Sequence, residues 1–273
     1  MLTISDFIAR FEEGLDSLTG QPWPEARERY DALCRGFAPD DPPGMHIIDE
    51  RCSGVGIRRF RPVEAHSGKV LFVHGGGFTI GSVRSHHGVA ASLTERLGRE
   101  VVSVDYRLAP EVGYAEMLAD CRRVAEDVVP LALVGDSAGG RLVQDLAAQL
   151  STAVPLGLIY PPVDGIDVTT LGPDAPLLAR ADILSLAEWL PETMTADSGP
   201  PAAIIEVLAV EHDPLTQPLE AAVSRWRHAG SSVGYRCAPG MVHAALHAHA
   251  SLAPMQSAWQ EFCQALKDRI DAS

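Results

Sequence analysis

The chain is poor in cysteine, with five in 273 residues (Cys34, Cys52, Cys121, Cys237, Cys263). Their odd number, their scatter and the lack of any C-x-x-C pair argue against a disulfide framework and a structural zinc site. A reducing cytoplasm is the compartment they fit. Positive charge is also short, 22 Lys and Arg against 36 Asp and Glu, for a net −14. Such a surface repels a phosphate backbone or an anionic membrane face at long range, so no nucleic acid partner is expected. No apolar run approaches the roughly 18 residues of a membrane span. The opening Met1–Asp6 lacks the basic and then apolar stretches of a signal peptide. Internal repeats and low-complexity tracts are missing as well.

What is present is ordinary globular material: 46% apolar and 21% charged residues, in a chain long enough to bury a large core without staples. At about 150 residues per domain the length allows one large domain or two small ones. Residues 5–18 read as an amphipathic helix, with Ser5 as N-cap and Phe7, Ile8, Phe11, Leu15 and Leu18 at helical spacing. A second helix, with Pro24 in its first turn, runs to Gly36, and the Asp- and Pro-rich stretch 38–44 reads as a linker. Residues 46–51 and 56–61 flank Cys52-Ser53-Gly54 and suggest an antiparallel edge hairpin. Short apolar runs then alternate with helical stretches. Strands are expected at 70–73, 101–104, 131–134, 156–160, 202–210 and 232–236. Helices are expected near 86–97, 113–127, 138–150, 181–190, 215–229 and 252–269. Strands without clean period-2 patterning, alternating with helices, indicate an α/β fold with a mostly parallel sheet covered on both faces.

Two glycine-rich motifs carry chemistry. Gly135-Asp136-Ser137-Ala138-Gly139, extended by Gly140, sits between a strand ending at Val134 and a helix starting at Ala138. A G-x-S-x-G in that context is a nucleophile elbow, a strained turn that exposes the serine hydroxyl at a helix N-terminus. His74-Gly75-Gly76-Gly77-Phe78 follows the strand 70–73. Three glycines pack no core and are costly to order, but they let backbone N–H groups approach a ligand closely. Two amides from Gly75, Gly76 and Gly77, with that of Ala138, would bind the oxyanion of an acyl-transfer intermediate. His74 is expected to fix the loop by hydrogen bonds. His86 and His87 read as helix-end or surface residues.

With these motifs the chain resembles the hormone-sensitive-lipase-like, bacterial esterase branch of the α/β-hydrolase fold. Further markers of the resemblance are Tyr106-Arg107-Leu108-Ala109-Pro110-Glu111, Asp213-Pro214-Leu215 and Pro239-Gly240-Met241-Val242-His243. The resemblance implies a single hydrolase domain over 1–273, with a reduced helical cap made of an N-terminal segment (1–44) and a short insertion (161–200). It implies a Ser137, Asp213, His243 triad, with Phe78 and Asp136 near substrate and no metal or organic cofactor. Glu211 is the rival acid, and His247 and His249 are rival bases. His243 and His247 have an i, i+4 spacing, but no carboxylate or cysteine completes a metal set. Arg107 is expected to be ion-paired beneath the site.

Three departures bear on the substrate. Ala244 and Ala245 follow the histidine where the family often has Gly and an aromatic. Arg141 stands where a small or amide residue is common. The stretch between Ser137 and Asp213 is roughly twenty residues shorter than usual in the family, so the pocket is expected to be closed chiefly by the N-terminal helices around Phe11, Trp23 and Phe37. The implied activity is carboxylesterase action on small apolar acyl esters. An amidase or formamidase, a biosynthetic deacylase and a non-catalytic ligand-binding homologue remain the alternatives, and a homodimer is compatible with such a domain.

Overall fold

The computed structural model describes residues 2–190 and 199–272. Eight strands form one sheet in the order β1-β2-β4-β3-β5-β6-β7-β8. They are β1 (His46–Cys52), β2 (Val55–Arg61), β3 (His66–Val73), β4 (Arg99–Asp105), β5 (Ala132–Asp136), β6 (Leu156–Ile159), β7 (Ile204–His212) and β8 (Ser232–Val242). β1 and β2 form the antiparallel edge hairpin, β2 runs antiparallel to β4, and every remaining pairing is parallel.

The strand sequences explain why helices cover both faces. Successive residues of β3 alternate between two cores, Val70 and Phe72 joining one and Leu71 and Val73 the other, so the run is apolar throughout. The first core takes residues from α1 (Ile4–Asp16), α2 (Trp23–Arg35), α3 (His87–Leu97) and α8 (Ala253–Asp271). The second takes residues from α4 (Tyr114–Val128), α5 (Ser137–Ala147) and α7 (Thr216–His228). A short helix, α6 (Arg180–Leu186), lies in the expected cap insertion, whose residues 191–198 fall outside the described residues.

The first helix starts earlier than its sequence suggests. Thr3, not Ser5, is its N-cap: Thr3 Oγ1 accepts the Asp6 N–H at 3.1 Å, and the Asp6 carboxylate accepts the Thr3 N–H. This reciprocal box satisfies two backbone donors, which Ser5 capping could not do with Asp6 as its partner. No described helix is long and apolar enough to cross a membrane.

Topology places the site. β3 continues through α3 to β4 on one side, whereas β5 continues through α5 to β6 on the other. The carboxyl ends of β3 and β5 are neighbours at this divergence, the position where open α/β sheets bind ligands. Pairing of Val73 with Gly135 sets residues 74–77 beside residues 136–138.

Candidate active site

Ser137 stands at the junction of β5 and α5 with φ +47°, while Asp136 before it is extended at φ −111° and ψ 145°. A non-glycine residue in the left-handed region is strained, and here the strain turns the hydroxyl out of the strand. Just past this turn, the start of α5 passes so close to the end of β3 that position 139 requires glycine. A Cβ on Gly139 would lie inside contact distance of the Val73 and His74 carbonyl oxygens, which are backbone and cannot yield.

The other ends of the sheet bring two side chains to this hydroxyl. Asp213 follows β7, His243 follows β8, and pairing of His212 with Val242 sets the two next residues side by side. Ser137 Oγ lies 2.9 Å from His243 Nε2, and His243 Nδ1 lies 2.7 Å from Asp213 Oδ2. Asp213 Oδ1 accepts the Leu215 N–H at 2.8 Å, which fixes the carboxylate. A carboxylate only accepts, so the imidazole proton resides on Nδ1 and the Nε2 lone pair faces Ser137. The His243 ring rests on Tyr160, centroids 4.5 Å apart.

The rivals are engaged elsewhere. Glu211 accepts the Gly240 N–H at 2.7 Å. His247 is buried among Phe11, Tyr30 and His86, and burial together with His86 holds its pKa well below the usual histidine value. His249 packs on Trp259 and hydrogen-bonds the Leu246 carbonyl.

In the glycine loop, the Gly75 N–H is already committed, donating to Asp136 Oδ1 at 3.0 Å. Gly76 and Gly77 line the cavity beside Ser137. Ala138 lies in the first turn of α5, where an N–H has no intrahelical acceptor. His74 is fully buried against Tyr106 and meets the Gly75 carbonyl through Nδ1 at 2.8 Å. Burial first, then neighbouring His86, lowers its pKa to about 3, so it is a neutral loop anchor. Tyr106 Oη donates to the His74 carbonyl at 2.9 Å.

Several expected roles change. Asp136 lines the cavity, but both of its carboxylate oxygens have protein partners, the Gly75 N–H at 3.0 Å and His86 Nε2 at 3.2 Å, and only 3% of the residue is exposed. Burial pushes its pKa up, but the charge and hydrogen bond of His86 bring the net value below the usual carboxylate range. His86 is the helix-end residue it was expected to be, the N-cap of α3, but not a surface one: it is 1% exposed in the sequence Ser85–His86–Asp136 of hydrogen bonds. His87, its neighbour, is the partly exposed one and bonds Asp41. Phe78 is fully buried too. Its φ of +64° turns the ring onto Tyr114 in the core beneath the loop, not into the cavity. Arg107 does pair with Asp120, at 2.8 Å; its own side chain is half-exposed, whereas the Asp120 carboxylate is buried. Arg141 is withdrawn into an ion pair with Asp145.

The cavity over Ser137 measures about 330 Å³. Phe11, Leu15 and Tyr30 from the N-terminal helices form one wall, and Leu177, Leu178 and Leu186 from the insertion form another. Of the three aromatics expected to close it, only Phe11 does so. Phe37 packs behind Phe7 and Phe11, and Trp23 is 40% exposed. The sequence reading missed Tyr30 as a wall residue, although it lies on the buried face of α2 with Ala26 and Cys34.

A family model described as alpha/beta hydrolase fold matches residues 70–247. The carboxylesterase NlhH of Mycobacterium tuberculosis is 35% identical over 210 residues, covering 64% of this chain and 65% of that protein. The chain thus matches slightly less than two thirds of the length of that curated relative. An ethyl acetate hydrolase of Pseudomonas putida is 31% identical over 166 residues, covering 51% of this chain and 52% of that one. In three dimensions, a hormone-sensitive lipase from a metagenome library superposes with a TM-score of 0.83 at 20% identity, covering 98% of this chain and 99% of the other.

Proposed function

Because this chain belongs to the α/β-hydrolase fold family, we propose that it is a serine hydrolase of the hormone-sensitive-lipase-like branch, cleaving small carboxylic esters through an acyl-enzyme on Ser137. The observation that carries this reading is the relay from Ser137 Oγ to His243 Nε2 at 2.9 Å and from His243 Nδ1 to Asp213 at 2.7 Å, opening on an apolar cavity. The ester-cleaving names of the relatives from Mycobacterium tuberculosis and Pseudomonas putida support the substrate class. The five unpaired thiols fit a reducing, cytoplasmic setting.

His243 Nε2 takes the Ser137 hydroxyl proton as Oγ attacks the ester carbonyl carbon. Asp213 holds the tautomer and stabilises the imidazolium that forms. Negative charge develops on the former carbonyl oxygen, and the N–H groups of Gly76, Gly77 and Ala138 receive it; each such donor is worth roughly 10²–10³ in rate. Collapse breaks the bond to the leaving alcohol, which takes the proton from His243. Water, deprotonated by the same nitrogen, then attacks the acyl-enzyme, releases the acid and returns the proton to Ser137.

Walls of Phe11, Leu15, Leu177 and Leu186 and a volume near 330 Å³ suit a short acyl group, with α1, α2 and α6 acting together as a reduced cap over one hydrolase domain. Aryl acetates and N-formyl arylamines, assayed side by side, test the assignment. Wild type is expected to prefer the ester, and Ser137→Ala to lose turnover by at least about 10⁴-fold with its fold intact. Preference for the arylamide would overturn the ester assignment, and undiminished turnover in Ser137→Ala would remove the nucleophile.

A further inference from the structure

The loop carrying the proposed oxyanion donors has little to hold it from within. Gly76, Gly77 and Phe78 all have positive φ (+115°, +58°, +64°), and the internal ties are the His74 Nδ1 contact with the Gly75 carbonyl and a turn in which the Gly76 carbonyl accepts the Thr79 and Ile80 N–H groups. A glycine run of this kind has many alternative conformations and loses much entropy when ordered. Its further fixation comes from outside: Asp136 holds the Gly75 N–H, Tyr106 the His74 carbonyl and the Ala109 N–H the Phe78 carbonyl, while the stretch just past Phe78 is held by two residues of α2.

Arg27 reaches over the loop. Its Nε donates to the Thr79 carbonyl at 2.9 Å, and its Nη2 donates to the Ala109 carbonyl at 2.8 Å. The same guanidinium forks onto Glu111 through Nη1 at 2.9 Å and Nη2 at 2.6 Å. Glu111 is half-exposed, so that ion pair alone contributes little. The bonds to two backbone carbonyls are the ones that constrain the loop. One turn further along α2, Asp31 accepts the Ser82 hydroxyl at 2.6 Å, and Ser82 Oγ in turn accepts the Arg84 and Ser85 N–H groups. Arg27 and Asp31 are i, i+4, hence on one face of the helix. Beyond Ser85 the bonds run on through His86 and Asp136 back to the Gly75 N–H.

We infer that α2 braces the oxyanion loop, with Arg27 and Asp31 as positioning residues that fix the Gly76 and Gly77 N–H groups relative to Ser137. The N-terminal helices thus act on the rate of acyl transfer as well as on acyl recognition. This inference rests on the ester-hydrolase reading for its kinetic consequence, though not for its structural one. A misplacement of about 1 Å costs up to roughly 10²-fold in rate, so losing the brace lowers kcat and leaves ground-state binding largely alone.

The test uses the full chain with Arg27→Ala, Asp31→Ala and Asp31→Asn. Each is assayed for kcat and KM on an aryl acetate and for hydrogen exchange at the Thr79 and Ile80 amides. Arg27→Ala and Asp31→Ala are expected to lower kcat about tenfold to a hundredfold with KM within about threefold, and to speed exchange at both amides. Asp31→Asn keeps an acceptor for Ser82 and is expected to restore both readouts. A raised KM with unchanged kcat, or unchanged exchange in a folded Asp31→Ala, would overturn the brace. Should Arg27→Ala not fold, the contrast between Asp31→Ala and Asp31→Asn decides alone. If wild type turns over no ester, the ester reading fails, and exchange in the same variants still decides whether α2 holds the loop.

Discussion

Two carboxylates near the end of β7, Glu211 and Asp213, could each have oriented the histidine, and strand geometry separates them. Glu211 lies within the strand and is held by the Gly240 N–H, whereas Asp213 lies just past its end, beside His243. Asp213→Asn would place an amide donor against Nδ1 and favour the tautomer whose Nε2 carries a proton and cannot accept that of Ser137. Steady-state kinetics should show kcat reduced roughly 10⁴-fold, while Glu211→Gln stays within about threefold of wild type. That Ser137, Asp213 and His243 meet was legible because their motifs are local and ordered along the chain. The partners of Asp136, His86 and Phe78 were not. Asp136 adjoins Ser137, yet its carboxylate is held by the Gly75 N–H and His86, 61 and 50 residues away along the chain. His86 and His87 are adjacent at a helix start and diverge, one inward to a carboxylate 50 residues away, one outward to Asp41. No short-range pattern encodes such a partner.

Strands and helices followed the sequence closely, since apolar runs between polar turns leave a buried parallel strand few alternatives. Their boundaries depended on finer chemistry, as the Thr3 cap illustrates. The N-terminal helices were legible as helices, but which aromatic would face the cavity depended on how α1 rests on α2. Phe11 and Leu15 are i, i+4 on α1 and share the cavity wall. Enlarging Leu15 to Trp should shorten the longest acyl chain accepted, and trimming Phe11 to Ala should lengthen it, read as kcat/KM across aryl esters from acetate to octanoate. A chain-length profile that is identical in both variants would place the acyl group elsewhere. Point changes suit this question better than removal of residues 1–40, because Phe7, Tyr30, Cys34 and Phe37 of that segment belong to the core.

For the whole molecule, three histidines are buried in a neutral state. Burial holds His74 down to about 3 and His249 to about 4, and His247 well below the ordinary value of 6.5. Below pH ~6.5 the unfolded chain binds protons that the folded chain refuses, so stability present above that pH is lost as pH falls toward those lowered values. Each such group contributes a slope of up to about 1.4 kcal/mol per pH unit within its window. Urea midpoints should therefore fall steadily from pH ~6.5 to ~4, and His249→Gln should flatten that decline without touching the cavity. The packing of His247 has a consequence for biosynthesis. Its ring stacks on Phe11 and meets Tyr30 edge-on, and Tyr30 and His247 are 217 residues apart. The aromatic faces of α1 and α2 therefore leave the ribosome long before their docking surface exists. Until residue 247 emerges that part of their docking surface is missing, which leaves apolar surface on the nascent chain open to chaperone capture or to aggregation.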